Sequence, residues 1–224
     1  MSGYLVVVNP LVLPGVYAPQ EDTDLLAGAL SEEPLVSGAD VLDVGTGSGA
    51  LALEAARRGG RVTAVDVSWR AVCATRCNAW RARLPVRVRH GSLFEPVRGL
   101  SFDLILTNPP YVPAPSGGRA PRGPARAWDA GGDGRLVVDR ICHQAPALLR
   151  PGGVLLMVHS ALSDPDRTLA HLRATGLKAA VTRRRRIPFG PVLRSRADWL
   201  RERGLLSAGE NDEELVVVRA ELPC

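Results

Sequence analysis

The chain has 224 residues, 46% of them hydrophobic, and a formal net charge of +5 that is almost wholly arginine, because Lys178 is the only lysine. That length predicts one domain over residues 1–224 with a substantial core and no need of disulfides, and the composition speaks against disordered and membrane classes. No apolar run approaches the roughly 20 residues that cross a bilayer; the N-terminus has no basic segment and is broken by Pro10 and Pro14, so neither leader nor anchor is expected, and the expected location is the cytoplasm.

Residues 1–35 read as an N-terminal segment followed by a helix that Asp22 or Thr23 is placed to cap. The stretch 39–44, ADVLDV, is a short apolar strand that runs into the glycine-rich turn Gly45-Thr46-Gly47-Ser48-Gly49. A helix over 50–59, a strand over 61–67, a helix over 69–83 and a strand over 85–90 follow. After the strand 102–107 comes a Pro/Gly/Arg loop, 113–126. The segment 135–149 then carries Leu136, Val137, Ile141, Ala145 and Leu148 at helical spacing. Pro151-Gly152-Gly153 turns the chain into a strand at 154–159, and a helix near 164–175 leads to a strand at 177–183. About 30 residues separate that strand from the last, 213–222, too many for bare loop, so a helix is expected at 194–206. Strands alternating with helices predict an α/β fold, a parallel sheet covered on both faces.

Cys73 and Cys77 lie four apart on a predicted helix, but no second Cys or His pair stands at metal spacing. No metal is therefore expected, and Cys73, Cys77, Cys142 and Cys224 read as reduced thiols. The run Arg183-Arg184-Arg185-Arg186 invites a nucleic-acid or ribosome reading. A solvated end of a strand is the simpler one, and the few aromatics are not interleaved with the basic residues.

A glycine-rich turn between a strand and a helix suits a nucleotide: glycines let a ligand approach the backbone, and a helix N-terminus offers N–H groups to an anionic end. About 17 residues after Gly49, Asp66 ends the second strand, where an acid accepts hydrogen bonds from both ribose hydroxyls. The order G-x-G-x-G departs from the dehydrogenase fingerprint. Together these residues resemble the cofactor site of class I S-adenosylmethionine-dependent methyltransferases. The resemblance implies a Rossmann-like, seven-stranded, mostly parallel sheet whose last strand is antiparallel. It also implies a site in which Asp43, Gly45, Thr46, Gly47, Gly49, Asp66, Val67, Ser92, Leu93 and Asn108 hold the cofactor, leaving S-adenosylhomocysteine as product.

The strand 102–107 ends abruptly in Asn108-Pro109-Pro110-Tyr111, more than a terminator needs. The tetrapeptide is similar to the catalytic motif of methyltransferases acting on planar nitrogens, which are poor nucleophiles because the lone pair is delocalised. The Asn108 side-chain oxygen and the Pro109 carbonyl would each accept one N–H of an acceptor NH2. The prolines would stiffen the loop, and Tyr111 would pack on the planar group.

The segment 15–30, GVYAPQEDTDLLAGAL, resembles the VYEPAEDT segment of HemK-type glutamine methyltransferases, in the short branch without a separate N-terminal helical domain; 127–141 and 148–158 are similar to that branch too. The resemblance implies Tyr17 and Thr23 beside the cofactor, the glutamine of a release-factor Gly-Gly-Gln tripeptide as acceptor, and a small activating partner on a sheet edge, for which 86–90 is the candidate. Protein lysine, adenine in nucleic acid and a small molecule share the tetrapeptide's chemistry, and an interaction module that has lost catalysis is the reading of another class. Three departures stand out: His90-Gly91-Ser92 where an acid is usual, Ala18 and Gln20 in place of Glu and Ala, and an insertion at 187–211 that would either pack on the sheet or cover the cleft.

Overall fold

The computed structural model describes residues 10–115 and 123–224. The expected absence of a leader therefore falls partly outside the described residues, as does the centre of the 113–126 loop.

Seven strands form one sheet: β1 (Asp40–Val44), β2 (Arg61–Asp66), β3 (Val86–His90), β4 (Phe102–Thr107), β5 (Leu149–Ser160), β6 (Lys178–Pro188) and β7 (Asp212–Glu221). Their spatial order is β3-β2-β1-β4-β5-β7-β6. The β1–β5 pairings are parallel, and β7 runs antiparallel to both β5 and β6. The helices are α1 (Glu21–Glu32), α2 (Ala50–Arg57), α3 (Trp69–Ala82), α4 (Val138–Gln144), α5 (Pro165–Ala174) and α6 (Pro191–Glu202). α1, α2 and α3 adjoin one another along the sheet, while α4 packs on α5. Helices on both sides explain why β1, β4 and β5 are nearly continuous apolar runs: Val41, Leu42, Ile105, Leu106, Leu155 and Leu156 are fully buried. The strand order reverses between β1 and β4, which opens a crevice at their C-terminal ends, where ligands of open α/β sheets bind.

Several boundaries differ from the sequence reading for identifiable reasons. The expected helix 135–149 shrinks to α4, followed by a 3₁₀ turn at Ala145–Leu148, because Pro146 has no N–H for the α-helical ladder. Leu136, expected on its buried face, is exposed. Arg135 is buried in its place, bonded to Asp139 at 2.6 Å, the Asp164 carbonyl at 2.7 Å, the Thr168 hydroxyl at 3.0 Å and the Ser163 carbonyl. Pro151-Gly152-Gly153 does not precede β5 but forms an irregular part of it, paired through Gly152 and Gly153 with Leu222.

β6 continues five residues beyond its expected end, so the arginine run lies within the strand. Arg183 and Arg185 pair with Glu32 and Glu21 of α1, and Arg184 pairs with Glu214 of β7. α1 needs no side-chain cap at its start; Gln20 occupies that position and Asp22 is in the first turn. At its other end the Arg58 guanidinium binds the Leu30 and Glu33 carbonyls, tying α1 to α2. The helix of the insertion starts at Pro191, whose fixed φ suits the first turn, and ends ahead of Gly204 at φ 69°.

Removing Arg135 takes the guanidinium donor from the buried Ser163 carbonyl and from the Asp164 carbonyl, and one of two arginine partners from Asp139, which keeps Arg167. Arg135→Ala is expected to lower unfolding free energy by about 3 kcal/mol in chemical denaturation, whereas Arg184→Ala, in an exposed pair, should lower it by less than about 1 kcal/mol.

Candidate active site

The turn after β1 takes positive φ at Gly45 (74°), Gly47 (56°) and Gly49 (87°), where side-chain-bearing residues are strained. Gly49 is required twice over, because a Cβ there would lie 2.8 Å from the Thr75 methyl carbon on α3. A Cβ on Gly45 would stand 3.9 Å from the Asn108 carbonyl oxygen, and one on Gly47 3.7 Å from the Tyr17 carbonyl oxygen. The glycine turn, the tetrapeptide and the N-terminal segment therefore border one cleft.

The turn's own donors are largely spent. Gly45 and Thr46 N–H both donate to the Val65 carbonyl, at 2.8 and 3.1 Å. Gly47 N–H donates to Asp66 Oδ2 at 3.0 Å, and Ser68 N–H to Asp66 Oδ1 at 2.8 Å. The N–H groups of Gly45, Thr46 and Gly47, ahead of the N-terminus of α2, are thus already used, and that of Gly47 fixes Asp66. Burial raises the Asp66 pKa, while these backbone hydrogen bonds oppose the rise. Each of its oxygens keeps a lone pair for a further donor. Asp43 is fully buried; Thr46 donates to its Oδ2 at 2.6 Å, and its Oδ1 has no partner. Burial pushes its pKa up to about 7, the Thr46 hydroxyl and the Ala52 N–H oppose the rise, and the Asp66 charge adds to it.

The far rim of the cleft is more open. Val67 is exposed, and the Trp69 ring stacks on His90 at 4.0 Å between centroids. Gly91 N–H donates to the Asp66 carbonyl at 2.9 Å, which brings Ser92 and Leu93 to the end of β2. The half-buried Ser92 hydroxyl accepts a long bond of 3.4 Å from Arg140, and Leu93 sits at φ 48°. These residues fit S-adenosylmethionine: Asp66 retains acceptor capacity for ribose hydroxyls, the Asp43 carboxyl has an orphaned oxygen, and the glycines leave the cleft wall without side chains.

On the tetrapeptide side, Thr107 donates to the Val44 carbonyl at 3.0 Å and locks the end of β4 to β1. Asn108 and Pro110 are half-buried, and Pro109 and Tyr111 are buried. The Tyr111 hydroxyl donates to Asp22 Oδ2 at 3.0 Å, and Tyr17 donates to the same oxygen at 2.8 Å. Asp22 Oδ1 accepts the Thr23 N–H at 2.6 Å and the Thr23 hydroxyl at 3.2 Å. Burial, followed by the Asp22 charge, raises the pKa of both tyrosines, so both remain donors. Asp22, read in the sequence only as a cap, is therefore the hub joining Tyr17, Thr23 and Tyr111.

The backbone after Tyr111 is held as firmly. Ser163 donates to the Tyr111 carbonyl at 2.7 Å, and Val112 pairs with 128–130 through bonds of 2.8 and 3.0 Å. Arg196 of α6 binds the Pro113 carbonyl at 3.0 Å and Asp129 at 2.7 Å. Phe189, Leu193, Leu200 and Leu206 form a second apolar cluster against Val112 and Leu162, so the insertion packs beside the tetrapeptide's exit. His159 is fully buried with Nδ1 2.9 Å from the Ser160 carbonyl; burial lowers its pKa to about 4, which keeps it neutral. Gly134, Ser163, Arg196 and Glu213 were not singled out in the sequence, and only Gly134, in the run Gly131-Gly132-Asp133-Gly134, carried a local signal.

Residues 9–116 match the family model of the methyltransferase small domain. A Methanocaldococcus jannaschii protein named as a protein N5-glutamine methyltransferase is 34% identical over 181 residues, 80% of this chain and 90% of that protein. The release factor glutamine methyltransferase of Deinococcus radiodurans is 40% identical over 73% of this chain; the chain spans about 60% of that relative's length. Among solved structures, the Mtq2–Trm112 complex of E. cuniculi, a methyltransferase of the eRF1 termination factor, shares the fold with a TM-score of 0.65 and 24% identity. The match covers 92% of this chain and 98% of that one.

A Cβ at Gly134, whose φ is 72°, would lie 2.6 Å from Ser163 Oγ and collide with the Tyr111 carbonyl. Gly134→Ala should therefore displace the tetrapeptide and lower methyl transfer at least tenfold while ligand binding at Asp66 persists, as calorimetry would register. Asp43 ionises near pH 7 when folded and near 4 when unfolded. The stability tied to its neutral form is thus full below pH 4 and lost as pH rises through 7. Asp43→Asn escapes that loss, so its denaturation midpoint should gain on wild type between pH 4 and 8.

Proposed function

The chain belongs to the HemK-type family of S-adenosylmethionine-dependent protein glutamine methyltransferases, and on that premise we propose that it methylates the side-chain amide of a glutamine, the one in the Gly-Gly-Gln tripeptide of a peptide-chain release factor. The observation that carries this reading is the apposition of the glycine turn and the tetrapeptide, with the Gly45 Cβ position 3.9 Å from the Asn108 carbonyl. A methyl donor held by the first meets an amide held by the second.

S-adenosylmethionine supplies an electrophilic methyl group on a sulfonium. Asp66 would accept the ribose hydroxyls, with Tyr17, the 43–49 segment, Val67, Ser92 and Leu93 holding the rest of the donor. The Asn108 side chain and the Pro109 carbonyl take the two N–H groups of the acceptor amide, which turns its lone pair toward the methyl carbon and stabilises the positive charge developing on nitrogen. Tyr111, fixed by Asp22 and Ser163, packs on the amide plane and holds both acceptors in place. The described ends of the 113–128 loop, paired through Val112 and Ala114, frame the opening through which the substrate loop is admitted.

A small partner adding to the outer edge of β3 is part of the proposal. β3 ends the sheet, and α3, which packs against it, exposes Trp69 and Trp80. No helix among the described residues is long and apolar enough to cross a membrane.

Purified release factor and labelled S-adenosylmethionine test the reading, with mass spectrometry locating the methyl. Label is expected on the wild-type factor and absent when the Gly-Gly-Gln glutamine is alanine. Asn108→Ala should cut the rate by about 10²-fold or more with donor affinity unchanged, while Asp66→Ala should weaken donor binding at least tenfold in calorimetry. Transfer to the alanine factor would refute the glutamine assignment.

A further inference from the structure

The segment that brings Tyr17 to the glycine turn has no hydrophobic anchor. None of residues 10–17 is buried, and none belongs to either apolar cluster. The segment therefore depends on polar contacts, and the strongest of them comes from Asn78 near the end of α3. Asn78 is 4% exposed. Its Oδ1 accepts the Leu11 N–H at 2.8 Å, and its Nδ2 donates to the Leu11 carbonyl and to the Ser48 carbonyl, both at 2.9 Å. Both donors of the side chain are thus used. One amide grips the two backbone groups of Leu11, as a neighbouring strand would, and holds a carbonyl of the glycine turn as well. Asparagine is a poor residue for a helix interior, because its side chain competes for backbone hydrogen bonds. Here that capacity is directed at two segments outside the helix.

The surrounding contacts extend the clamp. Thr75, one turn earlier on α3, donates to the Gly47 carbonyl at 3.0 Å, so α3 holds two successive carbonyls of the turn. Arg70 donates to the Pro14 carbonyl at 3.2 Å. Beyond a turn closed by the Val16–Leu13 bond, the Tyr17 carbonyl oxygen comes to 3.7 Å from the Gly47 Cβ position, and the Tyr17 hydroxyl reaches Asp22 at 2.8 Å. Residues 10–17 are a strap laid along the glycine turn and pinned at Leu11, Pro14 and Tyr17. We propose that Asn78 is a positioning residue of the donor site: by clamping this strap to the glycine turn it keeps the Tyr17 side of the cleft closed on the donor, and so sets donor affinity. The inference rests on the donor proposed above. A strap held by a few hydrogen bonds opens locally at small cost, and apparent affinity falls with the fraction of molecules in which it is closed.

The test uses two variants that break the clamp from opposite sides. Asn78→Ala removes the amide. Leu11→Pro removes only the N–H that Asn78 accepts, at a position 41% exposed, and leaves α3 and the core untouched. Calorimetry with S-adenosylhomocysteine should show the dissociation constant rise at least fivefold in both. Amide hydrogen exchange over residues 12–17 should quicken at least tenfold in both. The double variant should be no weaker a binder than Asn78→Ala alone, because the two changes break one interaction. With release factor as acceptor, Leu11→Pro should raise KM for S-adenosylmethionine while kcat stays within twofold. A purely structural Asn78 would lower the melting temperature of Asn78→Ala and leave Leu11→Pro with wild-type affinity, and that result would overturn the proposal. Weaker binding without faster exchange, or effects that multiply in the double variant, would overturn it too. If Asn78→Ala does not fold, Leu11→Pro decides alone. Wild type that binds no S-adenosylhomocysteine would refute the proposed donor, and the inference with it, whereas unchanged binding by Leu11→Pro refutes the inference alone.

Discussion

The carboxylate of Asp22 is the interaction on which the site depends. It sits in the first turn of α1, and four hydrogen bonds converge on it: two from tyrosine hydroxyls that arrive from different parts of the chain and two from Thr23. Tyr17 precedes the helix, and Tyr111 follows β4 by four residues. One buried anion thus closes the N-terminal segment over the crevice and fixes the loop holding Asn108. A buried charge is tolerated only when its lone pairs are satisfied, so the arrangement is cooperative: losing either tyrosine leaves an oxygen of Asp22 short of a donor.

The rest of the cleft follows from the same economy of polar groups. The glycine turn does not hold out its N–H groups; it spends them on the Val65 carbonyl and on Asp66, so the acid at the end of β2 is rigidly aimed. Asp43 Oδ1, Glu213 Oε2 and His159 Nε2 are among the exceptions, each buried without a hydrogen-bond partner. Burial raises the pKa of the two acids to about 7. Unsatisfied polar atoms in a well-packed core mark places where binding or chemistry supplies the missing partner. Asp43 lies beneath the glycine turn, bonded to Thr46, and Glu213 lies at the start of β7 opposite Ile187.

The arginine-rich character of the chain resolves into structure at its most conspicuous point. Three members of the 183–186 run are engaged with Glu32, Glu214 and Glu21, where they attach α1 to β6 and β6 to β7. Arg135 is buried, and Arg196 ties the insertion to the loop beyond Tyr111. Arginine suits these places because its planar fork bridges several carbonyls and carboxylates at once.

The sequence by itself determined the alternation of strands and helices, the count of seven strands, the glycine turn and the tetrapeptide. Each of these is encoded locally, by hydrophobic period or by residues whose backbone needs are peculiar to them. It also indicated that Asn108, Asp66 and the glycines belong together, through their positions at strand ends. Only the tertiary structure decided which groups meet across distance. Asp22 finds Tyr111 89 residues away, Ser163 finds the Tyr111 carbonyl 52 residues away, and Arg196 reaches back 83 residues to Pro113. Gly134 is obligatory because two other segments crowd it, and Glu213 is set opposite Ile187 by the pairing of β7 with β6. Nothing in the residues around an ordinary aspartate, serine or glutamate records such encounters, because they follow from strand order and register, which the whole chain settles together when it buries its core.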